Sequence, residues 1–466
     1  MQLFPRSRAV SALLAALAVI VTPTLLFAHA HLVRSTPAVD GRVTTPPSSL
    51  SLWFSEQPEV RFTSLQLLDS AGNAVSLGAV ALIPGNSMGI TAPVTGAIMA
   101  GKYTVVWRTA AADGHATSGK FGFVVTSPAA PAATVAPVLP ESAGDTAGKP
   151  APTAQSIPNA VGSPSNFAGF SPAFRWAEFI ALLTLVGAMI FRLFVLRDAN
   201  LPAGVTADAV DRTRRLASAV LLLFAITTVW RVAAEADLMP TAGSARFSAM
   251  MSVVRYTQWG HGWLVGGVGV VIVAVALIFG SGSLAAWVLA GLGVVGMCLG
   301  ESLTGHAAAL PHRTALAIST DVAHLLAAGG WLGCLAVVLL CGLPATRRGG
   351  TSDPRRAGQQ LVRAYHRAAV ECVILVLVTA LIASWLRLSA VSDLWTTAYG
   401  SMLFRKIIFV LVALGFGFYH WRSAVIPEWG DDTRFRFQRS GVGELLIGAV
   451  ILGLTALLVA TALPRT

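Results

Sequence analysis

From residue 31 to about 126 the chain alternates apolar and polar residues over short stretches; beyond about 170 it stays apolar for some twenty residues at a time. The alternation is clear in Ser49-Leu50-Ser51-Leu52-Trp53-Phe54, and in Phe62, Ser64, Gln66 and Leu68 set against Thr63, Leu65 and Leu67. It returns from Tyr103 to Arg108 and in Phe121, Phe123 and Val125. A period of two is that of a half-buried strand. Pro46-Pro47, Ala71-Gly72-Asn73, Pro84-Gly85-Asn86 and Asp113-Gly114 supply turns between these stretches. The pattern predicts an all-β Greek-key sandwich or barrel.

The apolar runs lie at about 172–196, 214–234, 262–280, 284–303, 316–342, 368–389, 402–420 and 441–463. Each is near the roughly 20 residues needed to cross a bilayer. They predict an all-α polytopic membrane bundle of about eight helices over residues 171–465, so the chain is a mixed multidomain protein. Residues 127–170, rich in Pro, Ala, Ser, Gly and Thr, cannot bury enough apolar surface to order themselves and read as a tether. Residues 1–30 read as a signal peptide: Arg6 and Arg8, an apolar run from Val10 to Phe27, and Ala28-x-Ala30 for cleavage.

Composition agrees, with 55% hydrophobic and 12% charged residues in 466, where a soluble protein carries about 25% charged. The net charge of +11 sits mostly as Arg beside short loops, which suits lipid headgroups, with no aromatic-interleaved basic patch for nucleic acid. Orientation follows from the same residues. The loops on one side hold fourteen, including Arg197, Arg212, Arg347, Arg356, Arg434 and Arg439. The other side and its flanks hold six: Arg246, Arg255, Arg313, Arg387, Arg405 and Lys406. The basic side faces the cytoplasm, so the β-domain and the C-terminus face the periplasm or exterior of a cytoplasmic (inner) membrane. Cys298, Cys334, Cys341 and Cys372 all fall in apolar segments and read as small hydrophobes; Cys334 and Cys341, seven apart, would share a helix face.

Cleavage after Ala30 makes His31 the first residue, offering an α-amino nitrogen and an imidazole together. Asp113-Gly114-His115 precedes the last strand, and residues two apart in extended chain point the same way. Three nitrogens and a carboxylate oxygen form a set that Cu(II) accepts in tetragonal geometry; taken alone, Asp-Gly-His is also an ordinary turn with an exposed histidine.

These residues carry a resemblance. His31-Leu32-Val33-Arg34-Ser35-Thr36-Pro37-Ala38, Leu52-Trp53-Phe54-Ser55-Glu56 and Asp113-Gly114-His115-x-x-x-Gly119-x-Phe121-x-Phe123 resemble the CopC family of periplasmic copper-binding proteins. The resemblance implies Cu(II) ligands at His31, Asp113 and His115, with Glu56 at an acidic position found in some members. The Met-rich loop that gives some members a Cu(I) site is missing; the domain has only Met88 and Met99.

In the membrane part, ionisable groups at depth are costly and usually functional. His306 and His312 flank the loop before segment five, which carries Asp321 and His324 three apart on one face. The four could converge near the outer half of the bundle; Asp321 and His324 could equally bond each other or Ser and Thr. Gly305-His306-Ala307, Asp321-x-x-His324 with Trp331-x-Gly333, and Thr397-x-Tyr399-Gly400-x-x-Leu403-x-x-Lys406 resemble the CopD family of inner-membrane copper proteins. That resemblance implies a metal path through His306 and His324.

The expectation is a non-enzymatic protein that captures Cu(II) outside, with periplasmic copper donors as candidate partners, and imports copper through the bundle. The alternatives are copper resistance by sequestration or export, and a membrane oxidoreductase holding haem or a copper brace. Mass spectrometry of the exported protein checks the first step: the mature terminus should be His31.

Overall fold

The computed structural model describes residues 32–55, 57–110, 116–126, 171–238, 246–280, 283–305, 307, 314–348, 352–424 and 430–459. The first part is built from β1 (Leu32–Thr36), β2 (Arg42–Val43), β3 (Ser49–Phe54), β4 (Ser64–Leu68), β5 (Ala74–Val75), β6 (Ala81–Ile83), β7 (Asn86–Pro93), β8 (Gly101–Ala110) and β9 (Ala116–Val125). They form two sheets, ordered β1-β3-β7-β6 and β2-β9-β8-β4-β5. The facing sides supply one core in which Leu50, Leu52 and Phe54 meet Leu67, Val105, Trp107 and Phe123, the positions picked out by period-two alternation. Gly72 and Gly85 take φ of 85° and 77° in their turns, a region that costs a glycine little.

Phe62 departs from its expected strand. It ends a short 3₁₀ turn, Val60–Phe62, and its ring leaves the sandwich to pack on the membrane part beside Val232, Val253 and Trp259.

Among the described residues, eight helices are long and apolar enough to cross a membrane. They are α1 (Pro172–Ala199), α2 (Ala203–Ala236), α4 (Gln258–Phe279), α5 (Leu284–Leu303), α6 (Thr314–Arg348), α7 (Pro354–Arg387), α8 (Ala398–Tyr419) and α9 (Asp431–Val459), with the short α3 (Arg246–Tyr256) between α2 and α4. All eight apolar runs are thus helices. Several are longer than their runs, because amphipathic turns carrying Arg212, Arg214, Arg356 and Arg434 extend them beyond the apolar stretch. Glycines set how closely they pack. Gly187 of α1 and Gly333 of α6 lie backbone to backbone with no room for a Cβ, as do Gly269 of α4 and Gly293 of α5, the small-residue contact that membrane helices use. α6 is not a uniform helix: Gly329–Gly333 and Val338–Gly342 are π-turns.

The sandwich rests on the bundle where α2 ends and α4 begins. Beside Phe62, the Glu59 carboxylate accepts from the Gln258 backbone N–H in the first turn of α4, the positive end of that helix. Burial pushes the Glu59 carboxyl above the ordinary glutamate value, against the Gln258 bond and the nearby His261, which pull it down. A pKa raised in the docked state means that protonation favours docking, a contribution lost as pH rises through the raised value. Energy transfer between labels on the sandwich and the bundle should therefore report tighter docking as pH falls through the range just above the usual glutamate value, and Glu59→Gln should abolish that dependence.

Candidate functional site

Of the residues picked out in the β-domain, His31, Glu56, Asp113 and His115 lie outside the described residues, while their chain neighbours are described. Leu32 pairs with Phe54 across β1 and β3, so the start of one strand meets the end of the other. β8 and β9 pair out to Ala110 and Ala116, the two residues that bracket 111–115. The two sheets meet here: the Phe54 and Trp107 rings are edge to face at 5.1 Å between centroids. The start of β1, the end of β3 and the Ala110–Ala116 end of the β8–β9 ladder thus share one end of the sandwich.

In the bundle, His306 and His312 also lie outside the described residues. Asp321 and His324, both on α6, do not bond each other. Both Asp321 oxygens accept from Arg387 of α7, at 2.9 and 2.7 Å, and Arg387 also reaches the Tyr399 hydroxyl. His324 Nδ1 lies 2.9 Å from Thr379 Oγ1. The Thr379 hydroxyl also lies 2.7 Å from the Leu375 carbonyl and 3.1 Å from the Val376 carbonyl. Lys406 and Arg387 are close enough for their charges to act on His324. The cluster therefore holds two basic side chains and one carboxylate, and among the described residues no group of three or more His, Cys, Asp or Glu could hold a metal ion.

The most heavily charged site in the bundle was not legible as a set. Arg231 of α2, 7% exposed, donates from one nitrogen to Glu178 of α1 at 3.0 and 2.9 Å and to Glu301 of α5 at 2.7 Å. Its other terminal nitrogen reaches Thr304 at 3.3 Å, and Arg175 donates to Glu301 at 2.9 Å. The Arg231 guanidinium also lies 5.5 Å from the Trp259 ring centroid. In the sequence, Glu301 stands out only as an oddity closing an apolar run, and Arg231 only as a charge near the end of another. The cysteine pair is corrected as well. The π-turn at Val338–Gly342 puts Cys341 off the face of Cys334; Cys341 bonds toward Thr213 of α2, while Cys334 interacts with Cys372 of α7.

Comparison with known proteins places these parts. A CopC domain model matches residues 32–126, a "Copper resistance protein D-like, N-terminal domain" model 168–315 and a "Copper resistance protein D" model 359–458. The chain is a CopC–CopD fusion. "Copper transport protein CutJ" of Bacillus subtilis (strain 168) is 23% identical over 403 residues, covering 84% of this chain and 68% of CutJ. "Protein YobA" of Escherichia coli (strain K12) is 30% identical over 106 residues, 23% of this chain and 85% of YobA. Among solved structures, CopC from Methylosinus trichosporium OB3b has 27% identity and a TM-score of 0.20, covering 21% of this chain and 95% of that one. PcoC, a methionine-rich copper resistance protein from Escherichia coli, has 28% identity and a TM-score of 0.20, covering 21% of this chain and 100% of that one.

In this CopC–CopD fusion the Arg231 network and the CopC docking contact share one end of the bundle. Removing the shared cation takes away the guanidinium that holds Glu178 and leaves Glu301 with Arg175. Arg231→Met should cost about 3–5 kcal/mol, read as a lower unfolding temperature of the solubilised chain, and adding Glu178→Gln should recover part of it.

Proposed function

We propose that this chain captures copper with its CopC domain and carries it inward across a cytoplasmic (inner) membrane through the CopD bundle. The observation that carries the reading is the conjunction on one chain of a CopC domain and two copper resistance protein D domains, with a copper transport protein alike over 84% of the length. The bundle is a multi-pass membrane unit, and the excess of Arg at the end away from the CopC domain supports an outer location for that domain. No observation favours an oxidoreductase.

The cargo enters as Cu(II), held by the His31 amine and imidazole, Asp113 and His115, with Glu56 beside them. The set is three nitrogens and a carboxylate, in keeping with Cu(II). The described neighbours support it, since Leu32, Phe54 and the Ala110–Ala116 pair share one end of the sandwich. That end is also near the bundle. Phe54 is eight residues from Phe62, the residue seated on α2 and α4, a reach of at most about 28 Å. Docking keeps the captured ion at high local concentration above the bundle.

From there copper passes by His306 and His312 toward His324. Asp321 joins only by exchanging Arg387 for the ion, so it acts as a switchable counter-charge.

Two measurements test the reading. In a competition titration of the exported chain, His31→Ala should lower Cu(II) affinity by orders of magnitude, and so should one extra residue ahead of His31, which displaces the amine while keeping the imidazole. Undiminished binding by the extended chain would refute the ligand set. His324→Ala should abolish cellular copper accumulation and leave Cu(II) binding by the CopC domain unchanged.

A further inference from the structure

The turn that seats the CopC domain on the bundle is built into the end of the sandwich that leads to residues 111–115. Val60–Phe62 is a single 3₁₀ turn between β3 and β4. β4 pairs with β8 directly after it, Ser64 opposite Arg108. One position nearer the end, the Thr63 hydroxyl lies 2.6 Å from the Thr109 hydroxyl. Thr109 is fully buried and pairs with Thr117 of β9, beside the last pair of the ladder, Ala110 with Ala116. Thr63 also donates to the Glu59 carbonyl at 2.9 Å, which closes the turn on itself. From Thr109 the chain reaches Asp113 in four residues, at most about 14 Å. The seated turn and the strand ends that carry 111–115 are therefore joined through one buried hydroxyl pair.

The bundle meets this turn with matching chemistry. Phe62 is 4% exposed, covered by Val232 and Ala236 of α2, Val253 of α3 and Trp259 of α4. Burial of a ring is favourable in proportion to the apolar area taken from water, and the sandwich core does not supply it here. Beside the ring, the Glu59 carboxylate takes the Gln258 N–H, while the Thr257 hydroxyl takes the Gly260 N–H at 2.7 Å. Two of the amides that open α4 are thus satisfied, one of them by the soluble domain. The Trp263 indole donates to the Thr228 carbonyl at 3.1 Å, which fixes α4 against α2 below the contact. Trp259 carries the contact inward: the Arg231 guanidinium lies against its ring and reaches the Thr304 hydroxyl, two residues before His306 in the sequence.

We propose that Phe62 and Trp259 are a positioning pair for copper delivery: their contact holds the end of the CopC domain that leads to 111–115 against the bundle, so that copper passes within the docked chain without release to bulk water. Neither residue is a donor to the ion. Without their contact the CopC domain is joined to the bundle only through residues 127–170, and its effective concentration there falls. The inference rests on the transport reading of the chain.

Copper accumulation by cells making the full chain tests it at two copper levels, one buffered near the Cu(II) affinity of the CopC domain and one in large excess. Phe62→Ser should slow accumulation roughly tenfold or more at the buffered level, and by less than about twofold in excess copper, which reaches the bundle from solution. Its Cu(II) affinity in a competition titration should equal that of the wild type, and energy transfer between labels on the sandwich and the bundle should fall. Phe62→Leu, which keeps an apolar side chain, should restore most of the delivery. Trp259→Leu should reproduce the Phe62→Ser pattern, and the double variant should be no slower than either single one, as for two residues acting through one contact. Undiminished accumulation by Phe62→Ser at the buffered level overturns the positioning role, and so does a loss equally large in excess copper. A double variant whose losses add overturns the pairing. A wild type that accumulates no more copper than cells lacking the chain, at either level, refutes the transport reading, and the positioning role falls with it.

Discussion

One guanidinium between two carboxylates, Arg231 between Glu178 and Glu301, holds the end of the bundle on which the CopC domain sits. A charge at this depth is tolerated only when paired and hydrogen-bonded. Satisfying it draws α1, α2 and α5 to one point, with Arg175 and Thr304 completing the set. Trp259 lies over the same guanidinium and also packs against Phe62 of the CopC domain. The docking of the soluble domain and the internal charge balance of the membrane domain therefore share a residue.

Around that point the backbone is packed by glycine. The contact of Gly187 with Gly333 lets α1 and α6 approach more closely than side chains allow, and Gly266 against Gly300 does the same for α4 and α5. Such contacts matter in lipid, where apolar side chains gain little by meeting one another instead of acyl chains. The π-turn at Gly329–Gly333 turns Trp331 inward to meet Glu444. The same helix thus carries His324 toward Thr379 in one half and Trp331 toward a cavity nearer the middle.

Polar chemistry in the bundle is layered by depth. The Arg231 network is a closed set of opposite charges and serves as a clamp. The cluster of Asp321, Arg387, Tyr399, Lys406 and His324 gathers two basic side chains and one carboxylate around an imidazole. Glu444, bonded to an indole and bordering a cavity, is a third kind of site.

Much of this was legible in one dimension. Period-two alternation marks Leu50, Leu52, Val105 and Phe123 as core, and unbroken apolar length marks all eight helices, because burial and bilayer thickness act on every residue of an element and leave a repeating signal. The kinship with CopC and CopD is carried by contiguous motifs and is equally visible. Phe62 was misplaced, because a 3₁₀ turn ends the alternation and the ring is claimed by a surface more than a hundred residues away. Cys334 and Cys341 were paired on a helical period that a π-turn breaks. The partners of Glu178, Glu301, Asp321 and Glu444 lie 53, 70, 66 and 113 residues distant, on helices whose facing sides no local pattern announces. Residue types and element types follow from local physics acting along the chain; which charge meets which, and which carboxylate is left beside a cavity, follows only from how the helices pack.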